Sequence, residues 1–303
     1  MTTEQTTMAA TGAAGGHHLR LPLLAGLPVT ERRVTAAGID TAVLDGGEGP
    51  PVVLLHGPAE YAAKWIRVIP DLVRTHHVIA PDLPGHGTSG ADGALTPERT
   101  LAWLGDLIDQ TCPSPPALVG HLLGGAIAAR FANDHGEQVS HLVLVDSLGL
   151  TALQPDPEFG KALNEYLAAP SVDSHEGLWR MCAHDLERLR TQMPQWDAFA
   201  TYNVDRARTA GAGAALPALM QHFGGPPIPP QELARITVAT SLVWGRHDLA
   251  TPLSVAEQVS EAYGWPLHVI DDCADDPAVE QPQELVRALH VALGRTVTER
   301  RPS

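Results

Sequence analysis

The chain is short of cysteine, short of positive charge and without long apolar runs, and each shortage removes a class of protein. Cys112, Cys182 and Cys273 are three widely spaced thiols with no CxxC pair. That pattern argues against a disulfide framework and against a zinc site, so a reducing cytoplasm is the expected setting, with no metal and no other cofactor. Only 20 basic residues stand against 35 acidic ones, for a formal net charge of −15. No basic patch suggests a phosphate-backbone partner, and nucleic acid binding is not expected. The longest apolar runs, around residues 51–55 and 142–145, fall far below membrane-spanning length, so no membrane partner is expected either. The N-terminal stretch MTTEQTTMAATGAAGGHHLR lacks the basic and apolar regions of a secretory signal. Residues 1–25 read as a disordered tail and residues 298–303 as a second, C-terminal one.

What is present is enough apolar residue, 44% of 303, to build one large domain or a core carrying an inserted smaller one. Two alternating segments, ERRVTAAG and IDTAVLDGG, end in glycines as an antiparallel edge hairpin does. Short all-apolar runs follow, in PVVLLHG, HHVIAPDL, ALVGH and HLVLVD. Such runs suit strands buried on both faces. Helix-spaced segments separate them, at residues 61–73, 96–112 and 123–135, which implies right-handed βαβ units and a parallel sheet. The rhythm breaks between about 150 and 230, where the text turns helical and irregular and closes on the stiff run GGPPIPP. It resumes with ATSLVWGRHD, a helix over 254–263, LHVIDD and a last helix over 282–293. The expected organisation is an α/β core in two parts, 26–149 and 231–297, with a helical cap inserted at 150–230.

Five segments in order carry a resemblance: LLHG with a downstream Trp65, VIAPDLPGHGTS, LVGHLLGGAIAARFA, WGRHDLATP and DDPAVEQPQEL. Together they resemble the α/β-hydrolase superfamily, in its capped, epoxide-hydrolase and esterase-like branch, from about Val34 to Leu293. The resemblance implies an α/β-hydrolase fold, with a mostly parallel central sheet, helices on both faces and an inserted helical cap. It also implies a nucleophile elbow of form G-x-nucleophile-x-G after the fifth strand, an acid after a later strand and a histidine after the last.

The chemistry departs from that pattern at three places. The elbow Gly120-His121-Leu122-Leu123-Gly124 keeps the small residues that a tight turn needs, but its apex is Leu122. A leucine has no lone pair, so no covalent intermediate can form there. His121 is expected to point away from the apex into the sheet–helix junction. Pro277, Glu280, Gln281 and Pro282 align with an H-x-P-x-x-E-x-P pattern, which sets Asp275 where the base would stand; a shift of one residue sets Asp276 there. A carboxylate with an ordinary value near pH 4 cannot relay a serine proton as imidazole does. Finally, the residue after the HG pair is Pro58, which has no N–H, so of the usual oxyanion donors only the Leu123 N–H remains.

Asp248 is the one triad-type residue retained, and it serves equally as a general base or as a cap on the turn that follows. Asp146, at the end of the sixth strand, stands where some relatives of that superfamily keep their acid. Asp271, Asp272, Asp275 and Asp276 form an acidic group that reads first as a solvated loop. The sharper reading sets Asp275 opposite Asp248, two carboxylates of which one stays protonated as an acid. His56, Glu60 and Ser147 are further pocket candidates near the sheet edge. Trp179, Cys182, His184 and Tyr202 are candidates from the cap, against the plainer expectation that such residues pack its core.

These readings point to a protein of small-molecule metabolism acting on a small, mainly apolar molecule by non-covalent acid/base chemistry, as a cyclase, isomerase, lyase or direct water-attack hydrolase. The alternatives are a non-catalytic pseudo-hydrolase that binds a ligand under the cap, and a hydrolase with an unrecognised nucleophile such as Ser147 or Cys182. Homodimerisation stays open. Because nucleophile, base and oxyanion donor are all altered, Leu122→Ser by itself should leave the protein without esterase activity. Hydrolysis of nitrophenyl esters by that single variant would overturn this reading.

Overall fold

The computed structural model describes residues 18–91 and 93–294. Its sheet has the order β1-β2-β4-β3-β5-β6-β7-β8. The strands are β1 (Thr30–Ala36), β2 (Ile39–Gly46), β3 (Pro51–Leu55), β4 (His77–Pro81), β5 (Ala117–His121), β6 (His141–Val145), β7 (Ala239–Gly245) and β8 (Leu267–Ile270). The antiparallel β1–β2 hairpin joins the sheet through an antiparallel pairing of β2 with β4, and the remaining five neighbouring pairs are parallel. Alternate residues of β3 explain its unbroken apolar run. Val53 and Leu55 pack toward α3 (Pro97–Thr111) and α4 (Leu123–Asp134), and Val52 and Leu54 pack toward α11 (Pro282–Ala292).

The helix expected over 61–73 is two pieces, a 3-10 helix at Ala62–Arg67 and a single turn, α2, at Ile69–Leu72. Pro70 supplies the reason: it has no N–H and its ring collides with the carbonyl four residues back, so a continuous α-helix cannot pass through it. By contrast α3 begins where Thr96 and Pro97 predict, with the Thr96 hydroxyl accepting from the Arg99 N–H at 3.3 Å.

Between β6 and β7 stand α5 (Pro157–Ala168), α6 (Val172–Cys182), α7 (Leu186–Gln192), α8 (Trp196–Arg208) and α9 (Ala210–Leu219). Trp179, Trp196 and Phe199 form the aromatic heart of this insertion, with Trp179 edge-on to the other two at 5.2 and 5.3 Å. Tyr61 joins the same apolar cluster from the β3 loop, so the insertion is seated on the core. Among the described residues no helix is long and apolar enough to cross a membrane.

The expected N-terminal tail needs correcting where it can be seen. Residues 1–17 lie outside the described residues, but 18–24 form a helix, α1, that packs on the body of the protein. Arg20 on it is fully buried, pairing with Asp82 at 2.5 Å and Glu31 at 2.8 Å. Asp82 also accepts from the N–H groups of Ala62 and Thr88. The guanidinium therefore neutralises the carboxylate that organises the PDLPGHGTS turn, a role polar composition does not advertise. Arg20→Leu would strand Asp82 buried and unpaired, and urea unfolding is expected to show a loss of about 3 kcal/mol. Unchanged stability would mean that α1 is dispensable.

Candidate functional site

The elbow is built as its glycines require. At Leu122 the backbone takes φ 44° and ψ −109°, in the left-handed half of conformational space that a side chain rarely adopts. It is held there because α4 is pressed against the β3 loop. A Cβ on Gly124 would lie 2.4 Å from the Leu55 carbonyl oxygen, and one on Gly125 would lie 2.3 Å from the Ser147 hydroxyl. The strained apex therefore persists although it now carries a side chain without chemistry. Leu123 opens α4, so its N–H has no acceptor within the helix.

Above the apex lies a cavity of about 980 Å³, its open mouth included. Pro58, Leu122, Leu148, Phe159, Trp179 and Phe199 supply much of its apolar wall, and Glu60, Lys64, Asp275 and Asp276 its charge. Leu122 is thus cavity lining, at 6% exposure. Pro58 also faces the cavity and offers it no N–H.

Lys64 is the residue that sequence reading missed. It is 2% exposed, and its ammonium reaches Asp276 at 2.8 Å, His121 Nδ1 at 3.2 Å and Glu60. Burial opposes its charge, but Asp276 and Glu60 outweigh burial and hold the ammonium ionised. Burial likewise pushes Glu60 up, but Lys64 and His121 outweigh it and keep this carboxyl below the usual range. Glu60 in turn accepts from the Gly57 N–H at 2.6 Å, which fixes the β3 loop. The available signal was a lone lysine four residues after Glu60 inside the apolar text YAAKWI, a spacing that puts both on one side of a helical turn.

His121, a pocket candidate by position, is fully buried behind the elbow and outside the cavity lining. Its Nε2 meets the Asp275 carbonyl at 2.6 Å, which ties the elbow to the loop after β8. That loop is not the solvated acidic segment expected. Asp271 and Asp272 are exposed, but Asp275 and Asp276 are each 4% exposed. Glu280, on the short helix α10 (Pro277–Glu280), turns the loop inward by accepting from the N–H groups of Ala274 and Asp185.

Asp275 lines the cavity, and one of its oxygens, Oδ1, is buried without a hydrogen-bond partner. Burial, and then the charges of Asp248 and Asp276, raise its carboxyl well above the usual range. Asp146 and Asp248 stand behind the wall instead of lining it. Asp146, fully buried at φ 45°, accepts from the Gly245 N–H with Oδ1 and leaves Oδ2 unpartnered. Burial and then Asp248 raise it too. Asp248 Oδ1 accepts from the N–H groups of Ala250 and Thr251, and Oδ2 from the Thr251 hydroxyl. Asp248 therefore fills the capping role, and burial pushes it up to about 6 against those bonds.

Several pocket candidates are displaced. His56 is fully buried; its Nδ1 bonds the Gly57 carbonyl and its Nε2 accepts from the Leu83 N–H at 2.9 Å, a structural bridge. Burial and then His86 lower it to about 3, so it is neutral. The Ser147 hydroxyl donates to the Leu148 carbonyl at 2.9 Å and lies against Gly125, and the residue lines a separate recess. His184 is exposed and stacked on His247, 4.2 Å between ring centres. Tyr202 packs edge-on to Tyr61 at 4.5 Å, outside the lining. Trp179 and Cys182 do line the cavity, with the Cys182 thiol kept protonated by burial and by Asp275. Lining residues not anticipated include His175, Asn203 and Tyr61. They form a chain in which the Tyr61 hydroxyl donates to Asn203 Oδ1 and Asn203 Nδ2 donates to His175 Nε2.

A family model described as the alpha/beta hydrolase fold matches residues 50–282. The chain belongs to the α/β-hydrolase family. Among curated relatives, the 2-hydroxy-6-oxo-6-(2'-aminophenyl)hexa-2,4-dienoic acid hydrolase of Metapseudomonas resinovorans is 28% identical over 288 residues, spanning 88% of this chain and 91% of that one. The pimeloyl-[acyl-carrier protein] methyl ester esterase of Aeromonas hydrophila is 26% identical, over 82% of this chain and 97% of its own. The structure of a 2-hydroxy-6-oxo-6-phenylhexa-2,4-dienoate hydrolase from Rhodococcus superposes with a TM-score of 0.77 at 23% identity, covering 88% of this chain and 98% of the other. That last likeness is one of fold.

Within this α/β-hydrolase chain the raised carboxyl of Asp146 makes a sign-definite prediction. The native state holds its proton more tightly than the unfolded state does. The resulting stability is therefore complete below the unfolded value and lost as pH rises through the folded one. Asp146→Asn keeps the oxygen that accepts from Gly245 and removes the titration. Thermal unfolding should show the variant level with the wild type near pH 4 and above it, by a few degrees, near pH 8. Parallel profiles for the two proteins would contradict the assignment.

Proposed function

We propose that this α/β-hydrolase family member converts a small, mainly apolar molecule by acid/base chemistry without a covalent intermediate. The observation that carries the proposal is Asp275, a buried carboxyl on the wall of the same cavity as Leu122 with no hydrogen-bond partner at Oδ1. A carboxyl held protonated in an apolar cavity can donate to a carbonyl or similar oxygen and polarise the bonds next to it. Glu60, on the same cavity and paired to Lys64, is held below the usual range and supplies a carboxylate that can take up a proton or orient water. Two acidic groups pushed to opposite protonation states within one cavity are what acid and base roles require. Asp146 and Asp248 contribute from behind, by resisting a second negative charge next to Asp275.

The relatives' names speak of dienoic acid hydrolysis and of methyl ester cleavage. A covalent route like a serine hydrolase's has no support in the groups near this apex. Leu122 has no nucleophilic atom, Ser147 is outside the cavity lining with its hydroxyl bonded to the Leu148 carbonyl, and Cys182 is a thiol. The broad reaction class stays that of the notional cyclases, isomerases, lyases and direct water-attack hydrolases. Three free cysteines suit a cytoplasmic protein, and its partner in this reading is the small molecule alone.

The test is product formation, followed by mass spectrometry, from a panel of small neutral ketones, epoxides and esters. Asp275→Asn is expected to lower turnover by about two orders of magnitude or more while substrate binding persists. Conversion undiminished in that variant, a covalent adduct on Ser147 or Cys182, or binding with release of unchanged ligand by the wild type would each defeat the proposal.

A further inference from the structure

The cavity's charges say what kind of molecule it admits. Its lining carries three carboxyl groups, Glu60, Asp275 and Asp276, against one ammonium, Lys64. Each of the three Lys64 donors already has an acceptor, in Glu60, Asp276 and His121. Nothing of that cation is left for a ligand. His175, the other basic side chain on the wall, is lowered to about 4 by burial and then by Arg190, and its Nε2 is occupied by Asn203. It is neutral. A carboxylate entering this cavity would leave water, meet no free cation and lie against like charge, a combination that costs far more than it returns. An uncharged oxygen meets the opposite conditions, since a protonated Asp275 on the cavity wall has a hydrogen bond to give.

We propose that the ligand is a neutral, apolar molecule with a single carbonyl-type oxygen seated against Asp275, and that the cavity rejects carboxylic acids of the kind for which the relatives are named. The inference rests on Asp275 being the polar contact of the cavity, as in the proposed function, but it concerns binding and not turnover. Selection of this sort works by the penalty set against the wrong ligand as much as by attraction to the right one.

The decisive experiment titrates the wild-type chain at neutral pH with three ligands of one shape: a phenylethyl methyl ketone, phenylpropanamide and phenylpropanoate. Quenching of tryptophan fluorescence reports occupancy, because Trp179 lines the cavity. The ketone and the amide are expected to bind at least about tenfold more tightly than the acid, and the acid to gain as pH falls and it becomes neutral. Asp276→Asn, which removes one negative charge and frees a Lys64 donor, should recover acid binding by about tenfold. Acid binding equal to or tighter than that of the ketone, or no binding by any of the three, would overturn the inference. If the ketone binds selectively but no member of the catalytic panel is converted, the proposed function falls and the selectivity stands. Strong binding of the acid would remove the selectivity whether or not turnover is found.

Discussion

The site hangs on one buried ammonium. Lys64 draws together the β3 loop through Glu60, the elbow through His121 and the loop after β8 through Asp276. These three segments come from distant parts of the chain, and each contributes a wall of the cavity. Remove the positive charge and two carboxylates would face each other in a low-dielectric interior, where their repulsion is little screened. The network is also why the cavity floor is polar yet closed to an anion.

Around that ion group the protein separates two kinds of acid. Of the carboxyls in contact with Lys64, Glu60 is held below the usual range by that cation, whereas burial still raises Asp276 against it. Those clustered with Asp146 and Asp248 have burial and one another, which favour the proton. Asp275 belongs to the second kind and is the one that opens onto the cavity. The apex that a nucleophile occupies in the family's usual pattern has become apolar wall, but the backbone strain that presents it is retained, because the packing of Gly124 and Gly125 against Leu55 and Ser147 enforces it. Leu122 is therefore better understood as a surface that shapes the cavity than as damage to a hydrolase.

Much of the architecture was legible in local text. Apolar runs of strand length, glycines at tight turns and Thr96-Pro97 at a helix start are signals read within a few residues, and the strands and most core helices fell where those signals put them. The helix over 61–73 was misjudged because its apolar spacing was stronger than the single proline that divides it. His184, Tyr202 and His56 were plausible pocket residues by position in the chain, but position does not say which way a side chain faces.

The sequence by itself determined the fold family and the chemistry that Leu122 and Pro58 cannot perform, because the absence of a lone pair or an N–H is a property of the residue and survives any packing. Only the tertiary structure decided which acids are buried, that Arg20 and Lys64 neutralise carboxylates far away in the chain, and that Asp275 lines the cavity. Burial and charge pairing are set by contacts between segments remote in sequence, and the same aspartate reads alike in the text whether it ends in solvent, like Asp271, or in the core, like Asp275.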